Sequence, residues 1–211
     1  MSTLDSVSAF TSAGSAQGAA VPAPPPQRKV AVSNAVFGTL VFVITEAMFF
    51  MGLISSFLVS RANSFGQWHP PGDITLPRLA TGFNTLVLLG SGLLLFLATR
   101  SHAREPGNEL ARRMYSQATI LGAFFVAFQG FEWVKLINYG MTMNSGLFGA
   151  TFFLLIGSHG LHALGAVLAL AWCGRRMARG ELSVDRLKGL LVFWSFIVGL
   201  WPVLYGLVYF G

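Results

Sequence analysis

The stretch TFFLLIGSHGLHALGA, Thr151–Ala166, decides the fold. It is an apolar run of helical length broken only by His159 and His162, with Gly157, Gly160 and Gly165 set among them. In isolation it reads as a core helix of a soluble protein. Four more apolar runs of similar length change that reading to a membrane span, because a chain of 211 residues that is 54% hydrophobic and 10% charged falls well outside soluble composition. An ionisable pair at bilayer depth is costly and calls for a reason.

About 20 helical residues cross a hydrocarbon layer of roughly 30 Å. The runs predict an all-α, polytopic bundle of five transmembrane helices near 35–59, 79–98, 117–139, 146–172 and 189–210. Of the 14 Lys and Arg, 11 fall on one side of these spans, leaving Arg61, Arg78 and Lys135 on the other. Lysine and arginine accumulate in short cytoplasmic loops, so the N-terminus is expected in the cytoplasm and the C-terminus outside it, in the periplasm. The formal charge of +6 is thus a topology signal. The cations form no continuous patch, and nucleic acid is excluded as a partner.

Residues 1–29 are rich in Ala, Ser and Pro and end in VPAPPPQ, Val21–Gln27, which predicts a disordered tail ahead of a domain over 30–211. The loop from Arg61 to Arg78 holds Trp68, Pro70, Pro71 and Pro77, a short rigid connection with an interfacial aromatic. The segment Arg100–Tyr115, with His102 among arginines, reads as a solvated inner loop. Cys173 is the single cysteine, which excludes an intrachain disulfide and any cysteine-rich metal or iron–sulfur site. Five spans do not divide into two equal halves, which argues against a carrier built of repeats.

Small residues mark expected helix contacts. Gly38, Thr45 and Gly52 recur every seven positions in the first span, and Gly149, Gly157 and Gly160 lie along the fourth. Glu46, within VFVITEAMFFMGL, is about eleven residues, or roughly 17 Å, from the inner end of its helix. His159 comes to about the same depth on the antiparallel fourth helix. A carboxyl group there is paired or protonated, so Glu46, His159 and His162 are expected to form a buried polar network between helices. The same three residues could instead supply a facial triad of metal ligands, which would make the chain a stand-alone membrane metalloenzyme. Gln129, Glu132 and Lys135 follow at i, i+3 and i+6 near the outer end of the third helix, a polar cluster expected to include an ion pair. In the fifth span Trp194 and Trp201 share a face, and Pro202 is expected to kink it.

Together these segments resemble subunit III of the haem-copper terminal oxidases. The resemblance is carried by GLFGATFFLLIGSHGLHALG (Gly146–Gly165), TEAMFFMGL (Thr45–Leu53), the Trp-x-Pro-Pro loop at Trp68, FNTLVLLGSG (Phe83–Gly92) and QGFEW (Gln129–Trp133), in the family's order. It implies the short five-helix bacterial type in the inner membrane. It further implies a non-catalytic subunit that packs on catalytic subunit I, supports stability and proton uptake, and encloses phospholipid. No active site and no cofactor of its own is expected, with haem and copper held by the partner. The family's last helix commonly carries a His and an Asp where this chain has Ser195 and Val198, so no role transfers to that pair. The departure leaves a second association open, with a nitric oxide reductase.

Overall fold

A computed structural model describes residues 33–65, 68 and 77–210, all within the compact unit Val32–Gly211. The expected tail 1–29, with Arg28 and Lys29, and the prolines at 70 and 71 lie outside the described residues. Among those described the chain is entirely helical: α1 Asn34–Ala62, α2 Arg78–Arg104, α3 Glu109–Asn138, α4 Gly146–Ala178 and α5 Val184–Tyr209. All five are long and apolar enough to cross a membrane, and the protein is a multi-pass membrane protein.

Four helix ends run five to eight residues past their expected limits, all at the arginine-rich side: α2 to Arg104, α3 from Glu109, α4 to Ala178 and α5 from Val184. Hydropathy measures the hydrocarbon layer, whereas backbone hydrogen bonds continue the helix into the polar interface. At 1.5 Å per residue the 33 residues of α4 span roughly 50 Å, well beyond a 30 Å core. The inner loop expected at Arg100–Tyr115 therefore shrinks to a turn over 105–108, and both His102 and Tyr115 are buried. Gly107 takes φ +89° in that turn, a backbone region closed to most side chains. Asn108 caps α3 by accepting from the Leu110 N–H at 2.8 Å, and Glu109 adds a negative charge to its first turn.

The helices form three layers. α4 and α5 pack together in the middle, α1 lies across both on one side, and the α2–α3 hairpin covers the other with α2 on α5 and α3 on α4. The α2–α5 seam is built from polar groups at helical spacing. Trp194 Nε1 donates to Ser91 Oγ at 3.2 Å, and Trp201 Nε1 donates to Thr85 Oγ1 at 2.9 Å. Each hydroxyl passes its proton on to a carbonyl, Ser91 to Ala118 on α3 and Thr85 to Thr81. Both indoles are fully buried, so these bonds answer donors that lipid could not. Gly122 of α3 makes room for Trp194, since a Cβ there would stand 2.8 Å from Cζ2. Helix α5 runs unbroken through Pro202.

α1 is the least covered helix, with only Phe50 and Phe57 buried. Trp68, from the following loop, wedges between Phe57 and Phe148 of α4, with ring centroids 5.1 and 5.4 Å away. The interfacial aromatic expected there is thus also a plug between two helices.

Candidate functional site

The sequence places Glu46 in α1 and His162 in α4 on facing surfaces, and the fold joins them. His162 Nε2 lies 2.8 Å from Glu46 Oε2. The other ring nitrogen, Nδ1, is 2.7 Å from the Ser158 carbonyl one turn back. A carbonyl only accepts, so Nδ1 carries a proton and the tautomer is fixed. Whatever lies between Nε2 and the carboxyl group is then a single proton. With it on oxygen both groups are neutral; with it on nitrogen they form an ion pair. Either way the net charge is zero, which is what a site at this depth demands. The two side chains keep 16% and 20% exposure, so the pair sits at the edge of the bundle and not at its centre.

His159 does not join them. Its ring is fully buried and stacks on Trp201 of α5, centroids 5.1 Å apart at 29°, with the edge of Phe50 at 6.2 Å. Neither ring nitrogen meets a hydrogen-bond partner among the described residues. The expected three-residue network is thus a pair plus a separate stacked imidazole. Three residues advance an α-helix by about 300°, leaving 60° between the histidines. Both α1 and α5 pack on α4, and that angle turns His162 toward α1 and His159 toward α5. Phe50 stands between them, 5.3 Å from His162.

At the outer end of α3 Lys135 Nζ donates to Glu132 Oε1 at 2.9 Å and lies 4.4 Å from the Phe131 ring centre. Glu132 is buried while Lys135 reaches outward. Gln129 turns inward, its Nε2 donating to the Tyr209 hydroxyl at a long 3.5 Å. The cluster is therefore an ion pair and a separate bridge to α5.

The glycines divide by helix. Gly157 and Gly160 form a shelf for Trp133 of α3, whose Cη2 would lie 3.5 and 3.4 Å from their Cβ positions. Gly149 lies against the Thr142 carbonyl of the α3–α4 turn. Gly38 and Gly52 differ from expectation: both are exposed, and nothing lies within 4 Å of either Cβ position. Their seven-residue repeat lies off the α1 face that packs, the one carrying Phe50 and Phe57, and Gly38 borders an open recess with Trp172 of α4 and Phe193 of α5 instead of touching them.

Sequence reasoning missed the polar face of α2. Thr81, Asn84, Thr85, Ser91 and Thr99 are buried while its leucines at 86, 89, 93 and 97 face out. Asn84 Nδ2 donates to the Phe125 carbonyl at 3.2 Å. Their recurrence on one side of the helix, at 81, 84, 85, 91 and 99, was the available signal. Across the described residues no three of His, Cys, Asp and Glu come together in a way that could hold a metal ion.

The family model described as cytochrome c oxidase subunit III matches residues 27–211. The chain is similar to a Mycobacterium leprae protein named "Probable cytochrome c oxidase subunit 3", with 32% identity over 176 residues, covering 82% of this chain and 86% of that one. It is 31% identical over 195 residues to the cytochrome c oxidase subunit 3 of Corynebacterium diphtheriae, covering 88% and 93% of the two chains. The Arabidopsis thaliana protein of that name is 32% identical over 182 residues, 82% of this chain and 67% of the longer one.

Proposed function

The chain belongs to the cytochrome c oxidase subunit III family, and from that membership we propose that it is the non-catalytic accessory subunit of a haem-copper respiratory oxidase. It packs on catalytic subunit I, which holds the haem and copper, and sits in a bacterial inner membrane with its N-terminus in the cytoplasm. There it supports the stability of the catalytic subunit and proton uptake during oxygen reduction, and it encloses structural phospholipid.

The observation that carries this reading is the Glu46–His162 contact. It joins α1 to α4 through Thr45–Leu53 and Gly146–Gly165, two of the segments that carry the family resemblance, and it clasps one helix to the other through a carboxyl group and an imidazole. The polar groups elsewhere are spent on helix contacts: indole N–H to hydroxyl, tyrosine hydroxyl to carbonyl, lysine to glutamate. That economy suits a supporting subunit whose electrons and oxygen are handled next door.

Mild-detergent purification through a tag on this chain, followed by an optical spectrum and subunit identification, tests the proposal. Co-purifying haem absorbance with oxygen consumption is the expected result. A purified chain without haem would overturn it. Association with a nitric oxide reductase is the second reading, favoured by one feature: Val198 is buried against Gly92, 3.0 Å from its Cβ position, in place of a polar residue. Nitric oxide reduction without oxygen consumption by the same preparation would select it.

A further inference from the structure

At the arginine-rich end of the bundle α3 and α4 part around a cavity of about 520 Å³. Its α4 wall is small and apolar, made of Ala171, Gly174 and Ala178 with Leu170 at the inner end. Tyr115 ties the two helices together there, donating its hydroxyl proton to the Leu170 carbonyl at 2.7 Å. Gly174 leaves space for that ring, since a Cβ would stand 3.1 Å from Tyr115 Cε1. Thr119 and Leu170, the deepest residues of the lining, are only two positions inside the apolar runs 117–139 and 146–172, about 3 Å of helix. The cavity therefore belongs to the polar interface and stops where the hydrocarbon begins.

The rim is cationic. Arg112 and Arg113 rise from the start of α3 and Arg175 from the last turn of α4. The Glu109 carboxylate is shared by the two α3 arginines at 3.4 and 3.3 Å. No carboxylate among the described residues lies within ion-pair distance of Arg175. Three arginines against one glutamate leave two positive charges in excess around the opening. All four side chains are exposed, so the excess is open to a group approaching from the aqueous side.

We propose that this cavity docks a short acidic segment of a neighbouring subunit, two carboxylates flanking one apolar side chain. One carboxylate meets Arg175, the other joins Glu109 at Arg112 and Arg113, and the apolar side chain enters against Ala171 and Gly174. Guanidinium forks match carboxylates in paired hydrogen bonds, and complementary charge fixes the orientation of a docking segment. A free anion would answer the rim and leave the apolar wall uncovered. An acyl chain would find no slot beyond Thr119. The proposal rests on the accessory-subunit reading for the existence of a neighbour. On the topology given there, this end faces the cytoplasm, where the loops and tails of partner subunits lie.

Carbodiimide coupling in the whole, tag-purified membrane complex tests it. Arg175→Lys keeps the charge and puts an amine in place of the guanidinium. A water-soluble carbodiimide activates a carboxylate, and the amine captures it as an amide while the reagent leaves as its urea. The expected product is one new linked peptide joining position 175 to an Asp or Glu of another subunit, with a second carboxylate within a few residues. Arg176→Lys is the control. Arg176 pairs with Glu181 at 3.5 Å and lies over Trp172, so its amine should link only to Glu181 of the same chain. Ala171→Leu, added to Arg175→Lys, keeps every charge and fills the apolar wall. It should lower the yield at least about fivefold, the equivalent of about 1 kcal/mol, in a complex of unchanged subunit content. Raising salt from about 0.1 to 1 M shortens screening from roughly 10 to 3 Å and should lower it too. No link to another subunit in an intact complex, a link only to the carboxylate of phosphatidylserine, or a yield indifferent to Ala171→Leu would overturn the proposal. So would suppression by inorganic phosphate far beyond that by chloride at equal ionic strength, which would assign the rim to a small anion. The haem spectrum reads the oxidase assignment separately: its absence would end that assignment, while the sequence of the linked peptide still decides this one.

Discussion

Breaking the Glu46–His162 contact from each side, and then from both, measures what the clasp contributes. In Glu46→Leu the Ser158 carbonyl still holds the proton on Nδ1, so His162 keeps a bare acceptor at Nε2 facing lipid. In His162→Leu a protonated Glu46 keeps a donor with nothing to meet. An unmet polar group costs about 1–3 kcal/mol, and the 16–20% of these side chains that remains exposed faces hydrocarbon, which offers no relief. An ionised carboxylate left unpaired at this depth would cost more, at least about 2.5 kcal/mol on the insertion scale. The double variant removes donor and acceptor together and should cost less than the sum of the singles. Interhelical hydrogen bonds in membranes show coupling that averages about 0.6 and reaches about 1.7 kcal/mol, and a 2.8 Å contact that can carry charge belongs near the upper end. We expect a coupling of about 1–2 kcal/mol from reversible unfolding in mixed detergent micelles. Glu46→Gln, which still offers a donor to Nε2, should lose less than about 1 kcal/mol. Additive single effects, or a Gln variant as damaged as the Leu variant, would refute the shared-proton clasp.

His159→Phe should be neutral or stabilising in the same assay, because the ring is held by stacking on Trp201 and no hydrogen bond is lost; a large loss would mean that the imidazole has a polar partner. Gly122→Ala should cost about 1–3 kcal/mol by driving a methyl into Trp194, while Gly130→Ala, with nothing nearby, should not, and equal unfolding midpoints would contradict the packing. Lys135→Met should destabilise more than Glu132→Gln, by about 1 kcal/mol once the half-exposed lysine is discounted, because it strands a buried carboxyl group. Thr85→Val should cost about 1 kcal/mol by leaving the Trp201 N–H unmet, with tryptophan emission reporting the lost bond.

Five spans, their antiparallel order and the placement of Glu46 and His159 against neighbouring helices follow from hydropathy and the cost of polar groups in lipid. No folding pathway could hide those constraints, since every span must satisfy its own backbone and every ionisable group must find a partner or a proton. Helix ends were less legible. Arg104, Glu109, Ala178 and Val184 are helical because hydrogen bonding continues where hydrophobicity stops.

Which histidine meets Glu46 was beyond the sequence, because His159 and His162 differ by only 60° and a short step in depth. Only the packing of α1 and α5 on neighbouring sides of α4 assigns one to the carboxyl group and the other to Trp201. The same holds for the glycines. Gly38 and Gly157 look alike in a list of small residues, yet one touches no neighbouring helix and the other receives Trp133. The sequence by itself determined that polar groups must be buried in a five-span bundle; tertiary structure decided who meets whom, because partner choice depends on the rotation of each helix about its axis. That rotation is set by large side chains such as Phe50, Trp133 and Trp201 finding room on neighbouring helices, a property of the assembled bundle and of no single segment.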